Sequence, residues 1–185
     1  GCAGRGGGTA PQARCFGSSY GPYGVRVGGG LAQGSCLEAA TAAEFHKLSN
    51  LCASVDVNGL GQSRPTMFGH DSGAHARRWA ACGWHTVELN GHDVPAILAA
   101  LDEARSITDR PTVLLANTLK GKGISIMEGK EGWHGKALTP EQADVAIMEL
   151  TAQLVDGGSL EGPAPVQVRL PASDARREPP PSPRV

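Results

Sequence analysis

Strand-like and helix-like segments alternate along the middle of this chain, and this alternation limits the folds that it can adopt. Residues 34–48 are rich in alanine, leucine and glutamate and predict a helix, whereas the apolar run at 51–57 predicts a buried strand. The pattern continues with strands predicted at 84–89 and 111–116, and with helices predicted at about 72–83, after 93 and after 139. Strand–helix units in series predict an α/β fold, with a mainly parallel sheet and helices on both faces.

Two of the predicted helices carry start signals. Asp93 is a typical N-cap residue, and Thr139 begins a capping box with Pro140 at the first helical position. Each signal is followed by apolar residues at helical spacing, as in a helix that packs one face on a core. These stripes are Val94, Ile97, Leu98 and Leu101 in the first helix, and Ala143, Ile147, Leu150 and Leu154 in the second.

Composition sets the domain boundaries and excludes several classes of protein. A Gly-rich, atypical N-terminal segment at 1–27 and a Pro-rich linker or tail at 157–185 are predicted to be poorly ordered, on either side of one domain at 28–156. The net charge of -1 argues against a nucleic-acid partner, and no apolar run approaches the roughly 18 residues of a membrane span. The five cysteines form no C-x-x-C pair, so we expect a reducing, cytoplasmic setting.

Ligands of parallel sheets bind beyond the carboxyl ends of the strands, which directs attention to Asn58 and to the loop after Asn117. Asn58 follows a predicted strand, and its side-chain oxygen with the backbone carbonyl of Leu60 suits a hard cation such as Mg²⁺. An ordinary Asn-Gly turn is the alternative, and on this segment alone it is the favoured one.

Gly28, Gly29 and Gly30 follow the strand-like Val-Arg-Val run and precede a helix. Such a turn can bring backbone N–H groups against a phosphate, although an isolated triple glycine is more often a flexible linker.

Two more candidates lie late in the domain. Lys120, between a predicted buried strand and Gly121, can approach an anion together with the backbone, or it can belong to a solvated basic loop. His134 is placed in a Gly-Trp-His-Gly-Lys loop, where an imidazole can donate to an oxygen or move a proton near neutral pH. A lone loop histidine is more often structural or exposed. His46 and His75, on predicted helices, are expected at the surface.

Taken in order, several segments closely resemble animal-type transketolase over about residues 34–155, and weakly over 166–171. They are Leu48-Ser49-Asn50-Leu51, the Val55–Ser63 run, Gly83-Trp84-His85, Asn90-Gly91-His92-Asp93, Lys120-Gly121-Lys122-Gly123 and Lys130–Lys136. The resemblance implies an incomplete thiamine-diphosphate-binding fold, with residues 28–156 as part of the diphosphate-binding domain. It also implies a transferase of the pentose phosphate pathway, which moves a two-carbon ketol group from a ketose phosphate to an aldose phosphate.

The resemblance further implies thiamine diphosphate and Mg²⁺, or Ca²⁺ or Mn²⁺, as cofactors, and a cytoplasmic homodimer that acts on sugar phosphates. Asn58 and the Leu60 carbonyl match the metal ligands, and Gln62 falls in the cofactor loop. Lys120 matches a lysine near the cofactor, and His134 matches a histidine that contacts cofactor and substrate and is the expected catalytic residue. The triple glycine, Gly28 to Gly30, occupies the place of the family's Gly-Asp-Gly cofactor motif.

The sequence departs from the family where that motif supplies a metal-binding aspartate. An alignment with a one-residue gap places Gly29 at the aspartate, and an ungapped alignment places Gly28 there, so the carboxylate is absent in both. Gln33 stands in place of a glutamate that faces the partner subunit in the family. The pyrimidine-binding domain, with the glutamate that acts on the aminopyrimidine ring, has no counterpart in these residues. The alternative is therefore a catalytically incompetent fragment or paralogue, which acts as a binding or dimerisation module and pairs with itself or with a full-length family member.

Overall fold

A computed structural model describes residues 23–27, 34–61 and 64–154. They form a four-stranded, all-parallel sheet in the order β1-β2-β4-β3. In chain order the elements are β1 (Tyr23–Val27), α1 (Gly34–Phe45), β2 (Cys52–Val57), α2 (Ser72–Ala81), β3 (His85–Asn90), α3 (Val94–Ser106), β4 (Thr112–Asn117) and α4 (Pro140–Ala152). The predicted α/β class and the parallel sheet are confirmed.

The two faces of the sheet are covered by different helices. On one face Val55 and Leu115 are fully buried and pack with Ala40 and Ala43 of α1. On the other face Leu114 packs with alanines of α3. Because β4 is paired on both sides and covered on both faces, its apolar run predicts a buried strand correctly, and Thr112 to Leu115 are all buried.

The predicted start signals of the helices are confirmed. Asp93 Oδ1 accepts a hydrogen bond from the Ala96 N–H at 3.1 Å, and Thr139 forms a complete capping box with Gln142. Gly83, predicted to end α2, has a φ of +83°, which an L side chain rarely adopts. None of the helices in the described part of the chain has the length and apolar character needed to cross a bilayer.

The predicted apolar stripes of α3 and α4 pack on the core only in part, since Leu101 of α3 packs against it and several other large side chains do not. Val94 and Leu98 of α3 are 63% and 57% exposed, and Ile147 of α4 is 63% exposed. The buried positions of these helices are alanines instead, Ala100 and Ala104 in α3 and Ala146 in α4. Small side chains let a helix approach its neighbours closely, which leaves the larger side chains on the outer face. The surface position predicted for His75 is also wrong, because it is 4% exposed.

Some predictions concern residues that lie outside the described part of the chain. They include the segments 1–22 and 157–185, the triple glycine Gly28 to Gly30, Gln33 and Gln62. β1 pairs with β2 along its whole length, so the sheet starts before residue 28, the predicted start of the domain.

Truncation of Leu115 to alanine is expected to destabilise the fold by about 2–5 kcal/mol, because the cavity left in a fully buried site closes only partly. Urea unfolding followed by circular dichroism measures this change. Leu98→Ala removes the same atoms from a side chain that is 57% exposed, and it serves as the matched control. Equal losses of stability for the two variants would contradict the placement of the core.

Candidate functional site

The carboxyl ends of the central strands bring separate loops to one edge of the sheet. Val57 at the end of β2 pairs with Asn117 at the end of β4, and β1 ends beside Asp56. The pairing continues past the strands, since the Thr118 N–H donates to the Val57 carbonyl at 3.3 Å. The loops that carry the predicted site residues Asn58 and Lys120 therefore begin at adjacent strands.

Asn58 is buried, and its amide is held by two hydrogen bonds. Its Nδ2 donates to Asp56 Oδ2 at 2.8 Å, and its Oδ1 accepts from the Leu60 N–H at 2.9 Å. The second bond closes an Asx turn, and Gly59 follows with a φ of +72°. The turn interpretation is thus confirmed, and it does not exclude a ligand role, because an amide oxygen has a second lone pair.

The segment after Asn58 folds back on itself as a tight loop. The Gly61 N–H donates to the Arg64 carbonyl at 2.8 Å, and the Thr66 N–H donates to the Gly59 carbonyl at 2.9 Å. The Leu60 carbonyl takes part in neither bond. His70 packs over the loop so closely that a Cβ on Gly59 would lie 2.7 Å from its Nε2. This packing and the positive φ explain the glycine after Asn58.

The loop after β4 is tied to its neighbours. Thr118 Oγ1 donates a short hydrogen bond to Asp56 Oδ1. The Leu119 N–H donates to His92 Nε2 at 2.8 Å. Lys120 follows directly, and Gly121 and Gly123 have φ values of +73° and +90°. Lys120 therefore lies two residues after Thr118, whose side chain contacts Asp56 of β2.

Lys120 and His134 contact each other across this loop, with Nζ 3.2 Å from Nδ1 of the imidazole. An ammonium group only donates, so Nδ1 is the acceptor, and a neutral His134 carries its ring proton on Nε2. His134 is exposed and Lys120 is half-buried. The pair therefore presents a cationic group and an N–H donor together, which suits an anionic or oxygen-rich ligand.

The rest of this loop is anchored to α4 and to itself. Glu149 accepts from the Ser125 N–H at 2.8 Å and from its hydroxyl, and these hydrogen bonds lower the pKa of the Glu149 carboxyl. The Gly123 N–H donates to Glu128 Oε2 at 2.6 Å, and Lys130 Nζ donates to the Ser125 carbonyl at 2.9 Å. These contacts fix the path of the chain between Lys120 and His134.

Two polar residues of this edge, Asp56 and Thr118, are not among the site residues predicted from the sequence. Asp56 is the charged residue within an otherwise mostly apolar strand, a local signal that could have singled it out. Nearby, Asn117 Nδ2 donates a hydrogen bond to Ser72 Oγ at 3.0 Å, and Asn117 Oδ1 is buried without a partner. The edge of the sheet thus carries two groups of hydrogen-bonded polar side chains, one around Asp56 and one around Asn117.

The oxygens of Asn58 and Leu60 suit a hard divalent cation, which prefers neutral and anionic oxygen ligands. Within the described residues, no group of three or more histidine, cysteine, aspartate or glutamate side chains could hold a metal ion. Gly28, Gly29 and Gly30 offer no side-chain oxygen. Asn58 and Leu60 are thus neutral oxygen donors, and the triple glycine adds no carboxylate to them.

Comparison with known proteins identifies the class of domain. The family described as transketolase, thiamine diphosphate binding domain, matches residues 19–153. The chain belongs to this family.

Individual relatives agree with this assignment. The chain is 39% identical to transketolase of Homo sapiens over 137 residues, which are 74% of this chain and 22% of that protein. It is 34% identical to human transketolase-like protein 2 over 170 residues, 91% of this chain and 27% of that protein. A crystal structure of transketolase from Pichia stipitis in complex with sedoheptulose 7-phosphate matches with a TM-score of 0.69 and 29% identity, over 80% of this chain and 23% of that one. The chain thus spans about a quarter of the length of these relatives.

Proposed function

We propose that this chain forms the diphosphate- and metal-binding part of a transketolase, the transferase that moves a two-carbon ketol group between sugar phosphates. The observation that carries the proposal is the buried Asn58 amide beside the Leu60 carbonyl, at the carboxyl edge of the sheet of a transketolase-family domain. Asn58 and Leu60 would bind Mg²⁺, and Gly28, Gly29, Gly30 and Gln62 would contact thiamine diphosphate. Calorimetric titration with thiamine diphosphate and Mg²⁺ tests this, and Asn58→Ala is expected to weaken binding.

The residues of the loop after β4 would contact the same ligand. Thiamine diphosphate, when bound, supplies the chemistry of ketol transfer. Lys120 would place its positive charge near phosphate or substrate oxygens. His134 would donate from Nε2 to an oxygen of cofactor or substrate, since Lys120 engages its Nδ1. In this proposal His134 is the catalytic residue and Lys120 orients it.

The proposal includes a domain that extends to about residue 156 and contains β1, which precedes the predicted start at 28. It also includes sugar phosphates as substrates, a cytoplasmic location and a homodimer. A second function has support from two observations of its own. The chain lacks a carboxylate at the triple glycine, and α4 exposes Val145, Ile147, Met148 and Leu150. A domain with weak metal binding and an exposed apolar helix suits a binding or dimerisation module that pairs with itself or with a full-length transketolase.

We expect the chain to self-associate at concentrations on the order of tens of micromolar, because the exposed apolar side chains of α4 gain from burial. Sedimentation velocity measures this. The double variant Ile147→Gln/Met148→Gln is expected to shift the chain toward monomer. Val94→Gln, at an equally exposed apolar position on α3, is the control. A soluble monomer at these concentrations would contradict the prediction.

A further inference from the structure

Asp56 lies behind the proposed metal ligand and uses both of its carboxylate oxygens. Oδ2 accepts from Asn58 Nδ2 at 2.8 Å, and Oδ1 accepts from the Thr118 hydroxyl. The two donors are far apart in sequence, but they are brought together because β2 and β4 are paired neighbours, with Asp56 opposite Ala116. Asp56 thus connects the loop after β2 with the loop after β4.

The chemistry of these partners fixes which way the Asn58 amide faces. A side-chain amide has a donor end and an acceptor end of nearly the same shape, so its orientation is set by its partners. A carboxylate only accepts, which places Nδ2 of Asn58 toward Asp56. A backbone N–H only donates, which places Oδ1 toward Leu60. The two requirements agree, and the reversed amide would satisfy neither partner.

We propose that Asp56 is a positioning residue for the metal site, which holds the Asn58 amide with its oxygen turned toward the loop of Leu60. The proposal rests on the proposed function, in which Asn58 Oδ1 is a metal ligand. Asp56 is assigned this role because its Oδ2 lies 2.8 Å from Nδ2 of Asn58, so that it acts through the Asn58 amide. Through Thr118 the same carboxylate keeps the Asn58 loop in register with the loop that carries Lys120.

The first test needs no cofactor. In the metal-free protein, NMR measures the solvent exchange of the Asn58 side-chain amide protons. Asp56→Asn keeps the shape of the side chain but can donate as well as accept, so only the Leu60 N–H still fixes the orientation of the Asn58 amide. We expect its amide protons to exchange at least about tenfold faster, as a charge-assisted hydrogen bond is lost. Asp109→Asn, at an exposed aspartate bonded to Arg110, is the matched control.

The second test follows the metal itself. Mn²⁺ added with thiamine diphosphate broadens NMR signals near its site, and such broadening reports even millimolar binding. We expect Asp56→Asn to need about tenfold more Mn²⁺ to broaden the Asn58 amide, as is usual when a residue supporting a metal ligand is changed. Thr118→Val removes only the second partner of Asp56. We expect it to raise the Mn²⁺ concentration at half-maximal broadening, the Mn²⁺ midpoint, by less than Asp56→Asn does.

The outcomes separate the two proposals. Unchanged amide exchange in Asp56→Asn, or an unchanged Mn²⁺ midpoint, would overturn the positioning role and leave the proposed metal site intact. If Mn²⁺ does not broaden the amide signals of Asn58 in the unaltered chain, both the positioning role and the proposed metal site are overturned. Faster exchange together with a raised midpoint, in a variant whose backbone spectrum is otherwise unchanged, supports the positioning role.

Discussion

The isolated chain is expected to show no measurable ketol transfer from xylulose 5-phosphate to ribose 5-phosphate, even with saturating thiamine diphosphate and Mg²⁺. Lys120 and His134 can position oxygens, but positioning alone leaves the main chemical barrier in place. The resemblance to transketolase assigns the glutamate that acts on the aminopyrimidine ring to another domain, and the chain covers 22% of human transketolase. General acid–base catalysis contributes roughly two to four powers of ten, and its absence removes most of the activity.

A coupled assay for glyceraldehyde 3-phosphate measures this result, with a complete transketolase as positive control. His134→Ala is the matched negative control, because it removes the exposed imidazole that contacts Lys120. Turnover that survives purification and disappears in His134→Ala would contradict the prediction. It would also establish this chain as an enzyme in its own right.

A carboxylate introduced into the triple glycine is expected to produce the second large effect. The unaltered chain should bind thiamine diphosphate weakly in the presence of Mg²⁺, because the triple glycine offers no anionic ligand to the proposed cation site. Gly29→Asp should tighten this binding by about tenfold or more, since a carboxylate adds both a negative charge and a ligand oxygen. Gly28→Asp tests the other alignment of the motif, and calorimetry measures both.

A carboxylate elsewhere near the start of α1 is the control for this gain. Gly34 is the first residue of α1, and a Cβ on it would meet no atom within 4 Å, so Gly34→Asp adds the same charge without a clash. A similar gain from Gly34→Asp would indicate a general effect of charge. Tight, Mg²⁺-dependent binding by the unaltered chain would show that the missing carboxylate is not limiting.

The parts of the fold that depend on local chemistry could be predicted from the sequence. The apolar run of β4 and the capping residues Asp93 and Thr139 act within a few positions along the chain, and each was found where predicted. The faces of α3 and α4 were not predictable in the same way. An apolar stripe shows that a helix is amphipathic, but the closeness of packing decides which of its apolar side chains reach the core.

The candidate site shows the same division between local and long-range order. Asn58 could be proposed because it follows a strand directly, and Lys120 because it follows the next central strand. The bond between Asp56 and Thr118 joins residues 62 positions apart, so no local pattern contains it. The contact of Lys120 with His134 likewise depends on the path of the intervening loop. Long-range polar contacts of this kind require the fold.

The measurement that tests the central claim most directly is a calorimetric titration of Gly29→Asp and of the double variant Gly29→Asp/Asn58→Ala with thiamine diphosphate, with and without Mg²⁺. If Asn58 is a metal ligand, Gly29→Asp binds in a Mg²⁺-dependent manner and the double variant loses that dependence. Equal Mg²⁺-dependent binding by the two proteins would contradict the assignment of Asn58, and with it the proposed cofactor site at this edge of the sheet.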